Sequence, residues 1–302
     1  MEGSLDMSTT AMAMPPDLHL AGVDHTARPT WKLAETVHFY RDILGLPLVH
    51  AISARGWGPE THPDFLHFFF DSGNGSTIAF FYYLKQPVPA GADRAPAKPW
   101  PEDHVFDATH TAWLVREADD LEKWRERLVD AGIEVSVKVA HEVIESIYCR
   151  DPNGYFVEFT RKLRGLKPID ASDAEATIEA AIALEREADG NRVRIGSIDD
   201  VWRRKGAMLA GAETGHGAAQ AMLFVPDVAE FSPVVAAARA RDGCDLAGPV
   251  DGYHVIRSSG PISLDRKAMG LKPAIWYGIP TGGLLGRISK FDRDTLIIEP
   301  AE

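Results

Sequence analysis

Apolar and polar residues follow two different periods along the first half of the chain, and this order is lost after residue 163. A strand-like run at 18–27 precedes a stretch with helical spacing at 31–44, where Thr30 is the predicted N-cap and Gly45 the stop signal. Short strands are then predicted at 48–53, 64–70 and 77–84. Turn-forming residues at 71–75 join the last two strands as a hairpin.

The same order of elements returns after a proline-rich segment at 85–103. The second pass predicts a strand at 107–115, a helix at 118–131 and strands at 133–139, 145–150 and 155–160. The tripeptide His-Thr-Ala occurs in the first strand of both passes, at 25–27 and 110–112. In each pass a glycine ends the helix at nearly the same distance from this tripeptide along the chain. We therefore predict two βαβββ modules, at about 17–84 and 105–163.

The rest of the chain has a different character and no clear copy of the repeat. Helices are predicted at 172–188, with Ser172 as the N-cap, and at 199–210 and 227–241, and strands punctuated by Gly and Pro occupy 252–299. The fold class is thus α+β. We expect a flexible N-terminal arm at 1–16, the paired modules at 17–163 and a smaller C-terminal α+β domain of unknown role at 164–302.

Composition narrows the class of partner. The chain has 302 residues and a formal net charge of −12, with 45% hydrophobic and 25% charged residues, which are ordinary globular values. An acidic balance argues against nucleic acid or an anionic membrane as the main partner. Its 2 cysteines cannot form a disulfide framework, and no apolar stretch is long enough to span a bilayer. We expect a cytoplasmic homo-oligomer that binds a small molecule.

Three residues are candidate metal ligands: His25 and His110, in equivalent strands, and Glu158, in the last strand of the second module. Two neutral imidazoles and one carboxylate on one side of a divalent ion form a facial triad, which leaves positions for substrate and oxygen. A lone strand histidine or glutamate is more often structural. The shared context of the two histidines favours the ligand interpretation.

Two segments carry a family resemblance. The first is the predicted helix at 36–46, with the sequence Thr-Val-His-Phe-Tyr-Arg-Asp-Ile-Leu-Gly-Leu. The second is the segment at 146–159, with the sequence Ser-Ile-Tyr-Cys-Arg-Asp-Pro-Asn-Gly-Tyr-Phe-Val-Glu-Phe. Both segments resemble the vicinal oxygen chelate superfamily. That superfamily includes glyoxalases, fosfomycin-resistance proteins and extradiol ring-cleavage dioxygenases. The resemblance covers about 17–163, and it implies that the two modules form a pair of half-barrels.

Within the superfamily, the chain looks most similar to type I extradiol dioxygenases. The resemblance implies that His25, His110 and Glu158 bind Fe(II), with Mn or Zn as alternatives. It also implies that Tyr148, ten residues before Glu158, donates a hydrogen bond to a substrate oxygen.

The chain departs from the family pattern in the last strand of the first module. Extradiol enzymes usually have an acid–base histidine where this chain has Gly-Ser-Thr at 75–77, and a hydroxyl cannot exchange a proton near neutral pH. His67 and His141 are the candidates for that role. Ala79 or Phe80 occupies the fourth-ligand position of glyoxalase-like members, and neither coordinates a metal, which favours a three-ligand site.

The expected function is a metal-dependent extradiol-type dioxygenase that inserts O2 into a catechol- or hydroquinone-like ring and cleaves it. Its partners would be a small aromatic substrate and O2. One alternative is a redox-silent metal-dependent isomerase, epimerase or lyase of the glyoxalase type. The other is a resistance protein that sequesters a small molecule without chemistry.

Overall fold

The computed structural model describes residues 22–55, 62–88, 108–141, 143–187, 195–211 and 220–301. The predicted arm at 1–16 lies outside the described residues, as does most of the proline-rich segment at 85–103. Among the helices of the described ranges, none is long and apolar enough to cross a membrane.

The first module is a mixed four-stranded sheet with one helix. Its elements are β1 (His25–Pro29), α1 (Leu33–Val37, continued by a π-helical segment, His38–Ile43), β2 (Leu48–Ala54), β3 (Phe65–Gly73) and β4 (Ser76–Tyr83). The strand order is β1-β4-β3-β2, with β1 parallel to β4 and the other pairs antiparallel. The predicted hairpin is confirmed, because Asn74 and Gly75 take the positive φ angles, 54° and 74°, that a tight hairpin turn requires.

Side-chain alternation along β3 and β4 decides which face of this sheet the helix covers. Tyr40 of the π-helical segment is fully buried, and its ring lies 5.7 Å from the ring of Phe70 and 4.7 Å from that of Phe80. Since successive strand residues point to opposite faces, His67 and Phe69 of β3 lie on the face opposite α1.

The second module repeats this topology. Its elements are β5 (His110–Leu114), α2 (Ala118–Asp130), β6 (Val139–Ala140), β7 (Ile144–Arg150) and β8 (Phe156–Lys162). The strand order is β5-β8-β7-β6, which is the order of the first sheet. Trp124 of α2 stacks on Phe159 of β8 at 4.8 Å, so the helix again covers one face. The predicted pair of βαβββ modules is confirmed.

One prediction in the second module is wrong: most of the segment at 133–139 is not a strand, and β6 contains only its last residue and the next one. Ser136 explains the difference. Its backbone N–H donates to the carbonyl of Tyr148 at 2.9 Å, and its hydroxyl accepts the backbone N–H of Tyr148 at 3.0 Å. A side-chain hydroxyl here replaces one ladder bond, so the segment follows β7 without regular pairing.

The turn between β7 and β8 is bonded to the first module. Tyr40 donates its hydroxyl proton to Asp151 at 3.0 Å, and Thr30 donates to the amide oxygen of Asn153 at 2.8 Å. The amide nitrogen of Asn153 donates to Thr36 at 2.9 Å. The predicted N-cap at Thr30 is therefore wrong: α1 begins at Leu33 without a side-chain cap, and the Thr30 hydroxyl belongs to this buried cluster.

The C-terminal region has its own helices, sheets and core. Its elements are α3 (Pro168–Glu187), α4 (Ile198–Leu209), β9 (Ala221–Pro226), α5 (Ser232–Arg239), β10 (Asp245–Val250), β11 (Tyr253–Ser258), β12 (Ile262–Asp265), α6 (Pro273–Tyr277), β13 (Leu284–Leu285), β14 (Arg287–Phe291) and β15 (Thr295–Glu299). The strands form two sheets, β10-β11-β9-β13 and β12-β15-β14, around a core that includes fully buried Trp276. Ser172 lies inside α3 instead of capping it, because the helix begins four residues earlier.

A buried lysine joins α3, α4 and the segment before β13. The side chain of Lys205 is 0% exposed. Its Nζ donates to Asp173 Oδ1 at 2.6 Å, to the Asp173 carbonyl at 3.0 Å, to Thr177 Oγ1 at 2.7 Å and to the Thr281 carbonyl at 2.8 Å. Tyr253 donates to the same Asp173 oxygen at 2.8 Å. Burial lowers the pKa of Lys205, and the neighbouring Asp173 carboxylate acts against that shift.

By contacts the chain divides into two compact units. The first contains Met1–Trp113, Glu126–Val135 and Cys149–Val157, and the second contains Leu114–Arg125, Ser136–Tyr148 and Glu158–Glu302. His25, His67 and His110 belong to the first unit, and His141, Tyr148 and Glu158 belong to the second. The predicted boundary after residue 163 stays a prediction.

Candidate functional site

In the first unit, three histidines surround one phenylalanine on the face of the first sheet opposite α1. The rings of His25, His50 and His67 lie 5.8, 5.3 and 4.2 Å from the ring of Phe69. His25 begins β1, its side chain is 44% exposed, and its Nδ1 lies 2.6 Å from a carboxylate oxygen of Asp24. This face therefore combines imidazoles with an aromatic surface.

His67 is the buried member of this group. Its ring stacks on Phe81 at 3.6 Å with an interplanar angle of 7°, and its Nδ1 lies 3.1 Å from the carbonyl oxygen of Phe80. A carbonyl only accepts, so Nδ1 carries the proton and Nε2 the lone pair in the neutral ring. Burial lowers the pKa of His67, and the nearby His25 and His50 lower it further. The ring is therefore neutral near neutral pH, which a proton acceptor requires.

In the second unit, a buried carboxylate receives hydrogen bonds from two hydroxyl groups. Glu158 of β8 is 3% exposed. Ser146 donates to its Oε1 at 2.5 Å, and Tyr148 donates to the same oxygen at 3.3 Å. A further hydrogen bond of 3.0 Å joins the hydroxyls of Ser146 and Thr160. Ser146 and Tyr148 alternate along β7, and Glu158 and Thr160 alternate along β8, so all four point to one face.

Tyr148 connects this carboxylate to a histidine. The Nε2 of His141 lies 3.2 Å from the Tyr148 hydroxyl. Burial and the adjacent Glu158 charge raise the pKa of Tyr148, so the phenol keeps its proton at neutral pH. His141, Tyr148 and Glu158 thus form one hydrogen-bonded series, and each of the three was a candidate from the sequence.

His110 lies elsewhere, in the first unit, at the start of β5. Its side chain is exposed, and its ring meets that of Phe156 edge-on at 6.4 Å. The guanidinium of Arg150 lies over the same Phe156 ring, 5.0 Å from its centre. Like His25 in the first module, His110 is an accessible imidazole on the first strand of its sheet.

The donor types of His25, His110 and Glu158 fit a divalent cation such as Fe(II), because two imidazoles and one carboxylate form its facial triad. Within the described ranges, no three or more His, Cys, Asp or Glu side chains are gathered in an arrangement that could hold a metal ion. The three-ligand set therefore stays a prediction, as do the catalytic assignments of Tyr148, His67 and His141.

Sequence reasoning missed the contribution of Ser146 and Thr160. Both are buried polar residues in strands, where a hydroxyl without a partner is costly. The signal was the alternation itself, because Ser146 and Thr160 lie two residues from Tyr148 and Glu158, which were already candidates.

Residues 22–159 match the family model described as the Glyoxalase/Bleomycin resistance protein/Dioxygenase superfamily. No curated protein matches the chain in sequence.

Several solved structures align with about half of the chain. Lactoylglutathione lyase from Agrobacterium tumefaciens is 23% identical, over 47% of this chain and 95% of that one, with a TM-score of 0.32. A glyoxylase/bleomycin resistance protein/dioxygenase domain from Frankia sp. EAN1pec is 20% identical, over 49% and 96%, with a TM-score of 0.35. The fosfomycin resistance protein FosX from Listeria monocytogenes is 16% identical, over 47% and 94%, with a TM-score of 0.32. At these identities and scores the likenesses say nothing about the chemistry of this chain.

Proposed function

Because residues 22–159 belong to the Glyoxalase/Bleomycin resistance protein/Dioxygenase superfamily, we propose that the chain is a metal-dependent extradiol-type dioxygenase. Its substrate is a catechol- or hydroquinone-like ring, which is opened as both atoms of O2 enter the product. His25, His110 and Glu158 are the proposed ligands of Fe(II). When bound, Fe(II) would supply the open coordination positions and the electron transfer that allow O2 to react with the ring.

The observation that carries this proposal is the hydrogen-bonded series of His141, Tyr148 and Glu158. Ring cleavage requires a phenolic proton to leave the substrate and a proton to return to the product. Tyr148 keeps its proton and therefore donates to a substrate oxygen, and an imidazole such as that of His141 can both accept a proton and return it. The series supports acid–base work beside the proposed carboxylate ligand.

His67 is the second proposed acid–base group. Its neutral ring lies beside Phe69, on the sheet face that also carries His25. Phe69 offers an aromatic surface of the kind on which a substrate ring stacks. His67 is therefore suited to accept the proton of a ring hydroxyl, in place of the histidine that the family has near residue 76.

The test is metal analysis of anaerobically purified protein, followed by oxygen-electrode measurements with a panel of diphenols. We expect iron in the protein and oxygen uptake with at least one catechol or hydroquinone. His110→Ala should abolish both. The matched control is His38→Ala, because His38 is a 65% exposed helix residue paired with Asp42, and it should retain both.

Other outcomes would favour the alternatives. Zinc, nickel or manganese without oxygen uptake would indicate a redox-silent isomerase, epimerase or lyase. Protein that binds a small molecule but no metal would indicate sequestration. Full iron content and activity in His110→Ala would exclude that histidine as a ligand.

A further inference from the structure

Ser146 makes the shortest of the contacts described for the Glu158 carboxylate. It is fully buried in β7, and its Oγ lies 2.5 Å from Glu158 Oε1 and 3.0 Å from Thr160 Oγ1. A serine hydroxyl has one proton, and a carboxylate is a stronger acceptor than a hydroxyl. Ser146 is the donor in both contacts, so its proton favours Glu158, and Thr160 is the weaker acceptor of the same hydroxyl. Ser146 thus connects the Glu158 carboxylate to the hydroxyl of Thr160.

We propose that Ser146 is a positioning residue that sets the orientation of the Glu158 carboxylate as a metal ligand. The inference depends on the proposed function. The last torsion of a glutamate side chain is broad, so backbone and packing alone do not fix the plane of its carboxylate. Ser146 and Tyr148 both donate to Oε1, which holds that plane and gives Oε2 a defined direction.

The two hydroxyls on Glu158 have different roles. Tyr148 is also bonded to His141, and its longer contact of 3.3 Å suits a group that must turn towards a substrate. Ser146 has no such freedom, because it is fully buried and its second neighbour is the buried Thr160. Ser146 thus keeps the carboxylate in place when the Tyr148 hydroxyl changes partner.

The experiment uses Co(II) as the probe, added to the metal-free full-length protein. Its visible absorption reports both binding and coordination geometry. Ser146→Ala should weaken Co(II) binding by about 10- to 100-fold and alter the band pattern, which is the usual cost of losing a group that orients a ligand. The matched control is Thr160→Val, which removes the neighbouring hydroxyl but no direct bond to Glu158, and it should lose less than about threefold.

Urea unfolding of the metal-free proteins shows whether each variant is folded. The loss of Co(II) affinity in Ser146→Ala supports a positioning role only if that variant is still folded. If the single variant unfolds, the double variant Ser146→Ala/Thr160→Val leaves neither hydroxyl without its partner and should show the same loss of affinity. Wild-type affinity and spectrum in a folded variant without Ser146 would overturn the inference and leave the proposed function intact. An equal loss in Thr160→Val would also overturn it, whereas wild-type protein that binds no Co(II) would overturn both.

Discussion

Two buried polar groups in the second unit, Lys205 and Glu158, are supported in different ways. Lys205 is enclosed by four acceptors, one of which is the carboxylate of Asp173, so its charge is balanced inside the protein. Glu158 is almost as deeply buried, and two of the groups that donate to it are the hydroxyls of Ser146 and Tyr148, the second of which also contacts His141.

The difference indicates two kinds of role. An ammonium with at most three protons and four acceptors has no capacity left for a ligand, so Lys205 holds α3, α4 and the segment at 281 together. The Glu158 network includes a phenol and a histidine that can exchange protons. The same residue class, a buried charge, is thus structural in one region and a candidate for chemistry in the other.

Replacing Lys205 should cause the largest effect. Lys205→Met keeps the apolar stem but removes the charge opposite Asp173, whose side chain is only 14% exposed. Breaking a buried pair by removing one partner costs about 3–5 kcal/mol of unfolding free energy. Urea denaturation would measure this loss.

The control for this prediction is Lys290→Met, since Lys290 is 50% exposed and pairs with Asp292 at 3.1 Å. It should cost less than about 1 kcal/mol. A similarly small loss in Lys205→Met would contradict the structural role of Lys205.

Glu158→Gln should produce the opposite pattern. Glutamine keeps an oxygen that accepts from Ser146 and Tyr148, so the unfolding free energy should change by no more than about 1 kcal/mol. Metal affinity should fall by about 100-fold or more, because the anionic ligand is lost. Metal titration and urea unfolding of the same preparation would separate these effects. A stability loss as large as that of Lys205→Met would make Glu158 a structural residue too.

Tyr148→Phe should have a smaller effect, on turnover. Removing the hydroxyl takes away one hydrogen bond to Glu158 and the link to His141, while Ser146 still holds the carboxylate. We expect iron content to stay and oxygen uptake to slow by about 10-fold. Parallel measurement of iron and oxygen uptake would check this, and loss of iron from the variant would contradict it.

The smallest effect concerns Asp170, a partly exposed residue that forms an ion pair with Arg164. Arg164 donates to both carboxylate oxygens of Asp170 and also to Glu230, and it lowers the pKa of Asp170. A carboxylate with a lowered pKa adds stability that is present above its unfolded pKa of about 3.9 and is lost as pH falls through the folded value.

Asp170→Asn should therefore cost less than about 1 kcal/mol near neutral pH, and the difference from wild type should shrink below about pH 4. Urea unfolding at several pH values would test this, with the exposed Asp242→Asn as control. A difference between Asp170→Asn and wild type that is independent of pH would show that the ion pair is not its cause.

Local patterns predicted most of the fold. The hairpin at 71–75 needed positive φ at two positions, and Asn74-Gly75 is the pair that best allows it. The helix at 118–131 was predictable from apolar spacing, and the module repeat from the returning order of elements and the shared His-Thr-Ala tripeptide. The predicted strand at 133–139 failed because the hydroxyl of its own Ser136, instead of a backbone carbonyl, accepts the N–H of Tyr148, and periodicity does not report such bonds.

The candidate site was predictable residue by residue but not as a network. Glu158, Tyr148 and His141 each had a signal in the sequence, and the structure joins them by hydrogen bonds. Alternation placed Ser146 on the same strand face as Tyr148, but its contact with Glu158 depends on the register of β7 against β8, which the sequence does not show. Lys205 looks like an ordinary helix-surface lysine until the packing of α4 against the segment at 281 is known.

The bonds between the first module and the turn at 151–154 have a consequence for the dependence of one copy of the repeat on the other. Tyr40 and Asp151 are both fully buried, and each is the other's hydrogen-bond partner, although they come from different copies of the repeat. The dependence is one-sided: without the second copy the buried Tyr40 hydroxyl would lose its acceptor, whereas without the first copy Asp151 would still accept the backbone N–H groups of Asn153 and Tyr155.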